Sequence, residues 1–155
     1  MKKLPGSRNC FVCGRENPCS LKMAFYLDEA GDVVATTTIP DQYQGYPGMA
    51  HGGVITAILD ETSGRAATAE DPDRVLVTSE LTVRFRLPVP LSQPLRVVGR
   101  LVKRRGEAVK AMGEIFDEAG NLLAESTGVF IDITDRVTEE QNPEITGWRV
   151  YPDED

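Results

Sequence analysis

A chain of 155 residues, 41% hydrophobic and 26% charged, has the size and mixture of one globular domain that can bury a core without disulfide staples. Its net charge of −7, with an isoelectric point of about 4.8, argues against a general binder of nucleic acid or anionic membrane, but not against a local basic patch for a phosphorylated ligand. No apolar run approaches the roughly 18 residues of a membrane span, and Met1-Lys2-Lys3-Leu4-Pro5-Gly6 has no apolar stretch behind its lysines, so no signal peptide and a cytoplasmic setting are expected.

Residues 1–20, rich in Gly, Pro, Asn and Cys, read as an irregular N-terminal segment. Residues 21–133 read as the folded domain. Lys22–Leu27 and Val33–Ile39 are expected strands, joined as a hairpin by Asp28-Glu29-Ala30-Gly31-Asp32. Asp41–Ala50 is a loop. Gly52–Ala69 is the one substantial helix, with Val54, Ile55, Ile58 and Leu59 as its apolar surface. Beyond it, Leu81, Val83, Phe85 and Leu87 alternate with Thr82, Arg84 and Arg86, a strand with one apolar and one basic face that Pro88-Val89-Pro90 ends. Leu95–Lys103, Ala108–Phe116 and Leu122–Ile133 follow as strands across short turns. Residues 134–155 form an acidic tail of little regular structure, with Trp148 and Tyr151 as possible anchors. The order β-β-α-β-β-β-β, with short turns, predicts an α+β fold: an antiparallel sheet curved around one central helix.

Chemistry concentrates in His51-Gly52-Gly53-Val54-Ile55-Thr56-Ala57-Ile58-Leu59-Asp60. Two glycines at a helix start leave backbone N–H groups unscreened, where the helix dipole adds partial positive charge suited to an oxyanion. Asp60 follows an apolar run and shares a stripe of small residues with Gly53, Ala57, Gly64 and Ala67. A carboxylate near apolar walls gains basicity and suits a general base or a nucleophile. Each residue also has a plainer reading: a mid-helix Asp-Glu pair as a solvated face, a lone histidine as a cap or core residue. A Gly-Gly start says little alone, and it is the conjunction that favours function. Gly52 and Asp60 stand roughly 12 Å apart along one helix, too far to meet one carbonyl. Two antiparallel helices across a two-fold axis bring each start to the other's carboxylate, which predicts a homodimer with shared sites.

These residues, together with the Arg84-Phe85-Arg86-Leu87-Pro88-Val89-Pro90 strand and Asp117-Glu118-Ala119-Gly120-Asn121, resemble the hotdog-fold acyl-CoA thioesterases of the phenylacetate-pathway and mammalian fatty-acyl type, over about Cys10 to Ile133. The resemblance implies hydrolysis of an acyl-CoA to free acid and coenzyme A. Asp60 matches the catalytic carboxylate, Gly52 the glycine whose N–H polarises the carbonyl from the opposite subunit, His51 a histidine supporting that loop, and Thr78 a Ser/Thr orienting water. Many relatives carry Asn or Gln six residues before the histidine; here the position is Gly45, as in the mammalian subgroup. Gly53 joins the substrate-binding set. Arg84, Arg86, Arg104 and Arg105, with Lys103, are candidates for the phosphates of coenzyme A, against an ordinary solvated strand face and turn. A non-catalytic acyl-CoA or aromatic-ligand binding module on the same fold is the alternative, supported by Gly45. A dimer of dimers is allowed.

No cofactor is expected, and no metal is assigned. Cys10-Phe11-Val12-Cys13-Gly14 forms a knuckle-like CxxC with Cys19 nearby, three thiols where zinc usually takes four ligands, unless two knuckles meet across an interface; reduced cysteines in a tight turn are the plainer reading.

Overall fold

The close seating of one helix on a sheet organises the computed structural model, which describes residues 1–153. Helix α1 (Gly52–Ala67) buries Ile55, Ile58, Leu59, Thr62, Ser63, Ala66 and Ala67. Beneath it lie β3 (Val33–Thr38), β4 (Leu76–Phe85), β5 (Pro94–Arg105), β6 (Ala108–Phe116) and β7 (Leu122–Asp132), all of which it touches. With the two-residue strands β1 (Lys2–Lys3) and β2 (Tyr26–Leu27) they make a seven-stranded antiparallel sheet in the order β1-β2-β3-β5-β6-β7-β4.

The seat is cut by small residues in register. Gly99 of β5 pairs with Gly113 of β6, which pairs with Ser126 of β7. A β-carbon at Gly99 would fall 2.6 Å from the Thr62 carbonyl oxygen, and one at Gly113 would fall 2.9 Å from Ser63 Oγ. Only glycine admits the helix backbone this near. Within the contact, Ser63 Oγ donates to Leu59 O at 2.7 Å and lies 3.0 Å from Ser126 Oγ, so the buried hydroxyls are satisfied.

Two strand expectations and one helix boundary shift. Lys22–Leu27 pairs only at Tyr26–Leu27, because Lys22 takes a left-handed φ of 52° that breaks an extended run. The stretch before β2 instead turns inward: the amides of Leu21 and Met23 donate to Phe11 and Val12 carbonyls, and Met23 and Phe25 are buried. The helix stops at Ala67 rather than Ala69, where Thr68 leaves helical geometry. The strand expected from Leu81 begins at Leu76, with a bulge between Thr78 and Glu80.

The N-terminal segment and the tail pack together over α1. Gly6 and Arg149 exchange backbone hydrogen bonds at 2.8 and 3.1 Å. The tail holds two 3₁₀ turns and the single-turn helix α2 (Pro143–Thr146), more regular structure than its composition suggested. Trp148 Nε1 donates to Pro72 O at 3.1 Å. Between segment and tail the Arg65 guanidinium sits 4.5 Å from the Phe25 ring and 5.2 Å from the Trp148 ring. No helix among the described residues is long and apolar enough to cross a membrane.

Candidate active site

The start of α1 is shaped by His51. It is the N-cap residue, in extended conformation, and its Nδ1 accepts the Gly53 N–H at 2.9 Å. The amides of Val54 and Ile55 both reach the His51 carbonyl. Of the two glycine amides, only that of Gly52 is left without a partner among the described residues. It opens on a cleft of about 720 Å³ lined by Gly45, Tyr46, His51, Gly52, Phe85 and Arg86, among others. A β-carbon at Gly45 would press within 3.3 Å of the His51 α-carbon, so the bare glycine there fits close loop packing.

Asp60, eight residues further along α1, lines a second cleft of about 680 Å³ that it shares with Thr78, Gly64, Leu76 and Phe130. Thr78 Oγ1 donates to Asp60 Oδ1 at 2.7 Å. The β4 bulge makes this contact possible. Thr78 stands opposite Phe130 and Leu81 opposite Gly128, two positions on one face of β7. Strict alternation puts residues three apart on opposite faces; the extra residue, Ser79, lets Thr78 and Leu81 both face the helix. Burial pushes the Asp60 carboxyl above its ordinary value; the Thr78 hydroxyl opposes that shift and the neighbouring Glu61 charge adds to it.

The basic candidates divide. Arg86 reaches the Gly52 cleft but is paired with Glu125 at 2.8 Å. Arg84, on β4, is exposed and makes no ion pair among the described residues. Arg104 is turned to the far end of α1, donating to Ala67 O at 3.0 Å with Asp132 3.6 Å away, where a cation complements the helix C-terminus. Arg105, beside the β5–β6 turn, is exposed. Cys10 and Cys13 gather with Glu61, while Cys19, close to them in sequence, is exposed. Glu61 was passed over in the sequence because its partner Cys10 lies 51 residues away. The one local signal was Arg65 four residues on, whose Nε meets Glu61 Oε1 at 2.8 Å.

A family model described as Thioesterase superfamily matches residues 47–124, half of the chain, and the chain belongs to that superfamily. Acyl-coenzyme A thioesterase THEM4 of Mus musculus is 35% identical over 92 residues, 58% of this chain and 38% of that protein, so this chain spans about two fifths of that relative's length. The crystal structure of a thioesterase superfamily protein matches at a TM-score of 0.75 and 31% identity, covering 80% of this chain and 63% of the other. A Streptococcus mutans protein crystallised with acetyl CoA matches at a TM-score of 0.64 and 23% identity, covering 71% of this chain and 87% of its own, a likeness of fold. The hotdog arrangement that the resemblance implied, an antiparallel sheet curved around one helix, is the one found.

Proposed function

We propose that this protein is an acyl-CoA thioesterase acting as a homodimer, in which Asp60 works opposite the Gly52 amide of the partner subunit. The observation that carries the reading is the half-buried Asp60 held by Thr78 in one cleft, with an unengaged amide in another cleft at the start of the same helix. Family membership and the likeness to THEM4 support the acyl-CoA class. The dimer is supported by β4, the sheet edge, where Val77 and Phe85 are 45% and 56% exposed, with Leu87 just beyond it 50% exposed. An unpaired apolar edge of this kind calls for a covering chain.

As general base, Asp60 removes a proton from water held by Thr78; the hydroxide adds to the thioester carbonyl, and its oxygen takes negative charge against Gly52 of the partner subunit. The C–S bond then breaks, and the coenzyme A thiolate recovers the proton. As nucleophile, Asp60 itself adds to the carbonyl and expels the coenzyme A thiolate as the C–S bond breaks; water then hydrolyses the resulting anhydride to free acid and the Asp60 carboxylate, and the thiolate takes the proton released. His51 fixes the Gly52–Gly53 turn in either route, and Gly53 supports the same turn. Arg84 and Arg86 suit coenzyme A phosphates near the Gly52 cleft; Arg104 and Arg105 are the more remote candidates. Three unpaired cysteines fit a reducing, cytoplasmic setting.

Asp60→Asn keeps an acceptor for Thr78 and removes the base. Thiol release from acyl-CoA is expected to fall by about 10²–10⁴-fold or more, with the dimer intact by light scattering. Turnover retained in that variant would overturn the assignment. Gly45, which offers no side chain to assist the Gly52 amide, favours a second reading as an acyl-CoA binding module. Thermal stabilisation by acyl-CoA without any thiol release would select it.

A further inference from the structure

We propose that Cys10, Cys13 and Glu61 bind one zinc ion, clasping the N-terminal segment to α1 one residue beyond Asp60. The proposal goes beyond the thioesterase reading and does not depend on it. The three ligand atoms all lie within 4.8 Å of one another, and Cys10 Sγ is 3.7 Å from Glu61 Oε2. Around a tetrahedral zinc, with bonds of about 2.3 Å to sulfur and about 2.0 Å to oxygen, such a pair stands roughly 3.5 Å apart. The Cys10–Glu61 pair therefore already stands within tenths of an ångström of that separation.

The turn is built for a metal-bound sulfur. The amides of Val12 and Cys13 donate to Cys10 Sγ at 3.3 and 3.4 Å. The Gly14 amide closes the turn on Cys10 O at 2.9 Å, and a β-carbon at Gly14 would fall 2.3 Å from that oxygen, which requires glycine after the second cysteine. Ser7 Oγ lies 3.7 Å from Cys13 Sγ. Ser7 and Glu61 both line the Asp60 cleft, so water reaches a fourth coordination position.

Charge supports the same assignment. Arg65, 5% exposed, holds Glu61 Oε1 and leaves Oε2 turned toward Cys10, the outer support that orients a metal-binding carboxylate. Two thiolates, one carboxylate, a divalent ion and this guanidinium cancel to zero net charge. Two sulfur donors select zinc over magnesium or calcium.

The test uses the full chain, reduced and metal-free, titrated with cobalt(II) as a spectroscopic stand-in and then with zinc. One equivalent of cobalt should raise thiolate-to-metal charge-transfer bands and tetrahedral d–d bands, and zinc should displace it. Cys10→Ser and Cys13→Ser should lose the charge-transfer intensity and bind zinc at least about 100-fold more weakly. Glu61→Gln should keep the thiolate bands and weaken binding at least about tenfold, in line with the cost of losing one supporting group. Cys19→Ser should bind as the parent does. Absence of charge-transfer bands in the parent chain with its thiols shown free overturns the proposal, whatever the variants do. So does loss of the bands in Cys19→Ser alone.

Discussion

Asp60 and Thr78 show two opposed influences on one proton. Burial disfavours the carboxylate and the Thr78 hydroxyl favours it, with burial the larger. A base must be deprotonated to act, so activity should fall on the acid side at a pH above that of an ordinary aspartate. Thr78→Val removes the favouring hydroxyl, so the acid limb of kcat against pH should move further upward; a limb left in place would show that Thr78 does not govern Asp60. The two residues were unequally legible in the sequence. Asp60 announces itself as a charge closing an apolar run. Thr78 came from resemblance alone, because its facing depends on a bulge that breaks the period-two pattern just beside it. Glu61 was invisible as a partner of Cys10, since helical spacing speaks only of neighbours on the same helix.

At the level of elements, the turn and strand chemistry was readable where local rules suffice. The Asp28 and Asp117 turns each end on a left-handed glycine, Gly31 at φ 85° and Gly120 at φ 84°, and each aspartate side chain accepts a backbone N–H from within its own turn. The β6 strand occurs over the expected Ala108–Phe116. The inward path before β2 was not readable, because it is set by contacts of Met23 and Phe25 with distant chain rather than by their propensity. Nor was the Gly99–Gly113 furrow, since each glycine alone looks like a weak strand position; it is register that aligns them beneath Thr62 and Ser63. Gly99→Ala is therefore expected to cost roughly 1–3 kcal/mol, because its new methyl meets helix backbone rather than a movable side chain. Urea denaturation of parent and variant measures this, and an unchanged midpoint would contradict the close seating.

The molecule as a whole is tied at two places far apart in sequence. Arg65 joins α1, the N-terminal segment through Pro5 O at 2.5 Å, and the tail through Trp148. Asp132, at the end of β7, accepts from Thr134 and from Arg74 just before β4, and stands near Arg104 of β5. Its hydrogen bonds from Thr134, and then the Arg74 guanidinium, hold the Asp132 carboxyl down at about 2, from 3.8. A depressed folded-state value means stability present above the unfolded value and lost as pH falls toward the folded one. The stability advantage of the parent over Asp132→Asn should therefore be full above about pH 5, and should shrink between there and about pH 2, as denaturation curves across that range will reveal.

The two ends of α1 carry a consequence for heredity of function within an assembly. If each reaction centre borrows its amide from one chain and its carboxylate from the other, defects at the two ends are complementary rather than cumulative. Proline is tolerated at the first position of a helix and has no N–H, so Gly52→Pro deletes the donor with the backbone undisturbed; His51 already holds the extended shape that precedes proline. Pure Gly52→Pro and pure Asp60→Asn preparations should both be inert. Unfolded together and refolded, they should regain activity through hybrids that hold one intact centre each, a rescue that two independently working chains could never produce.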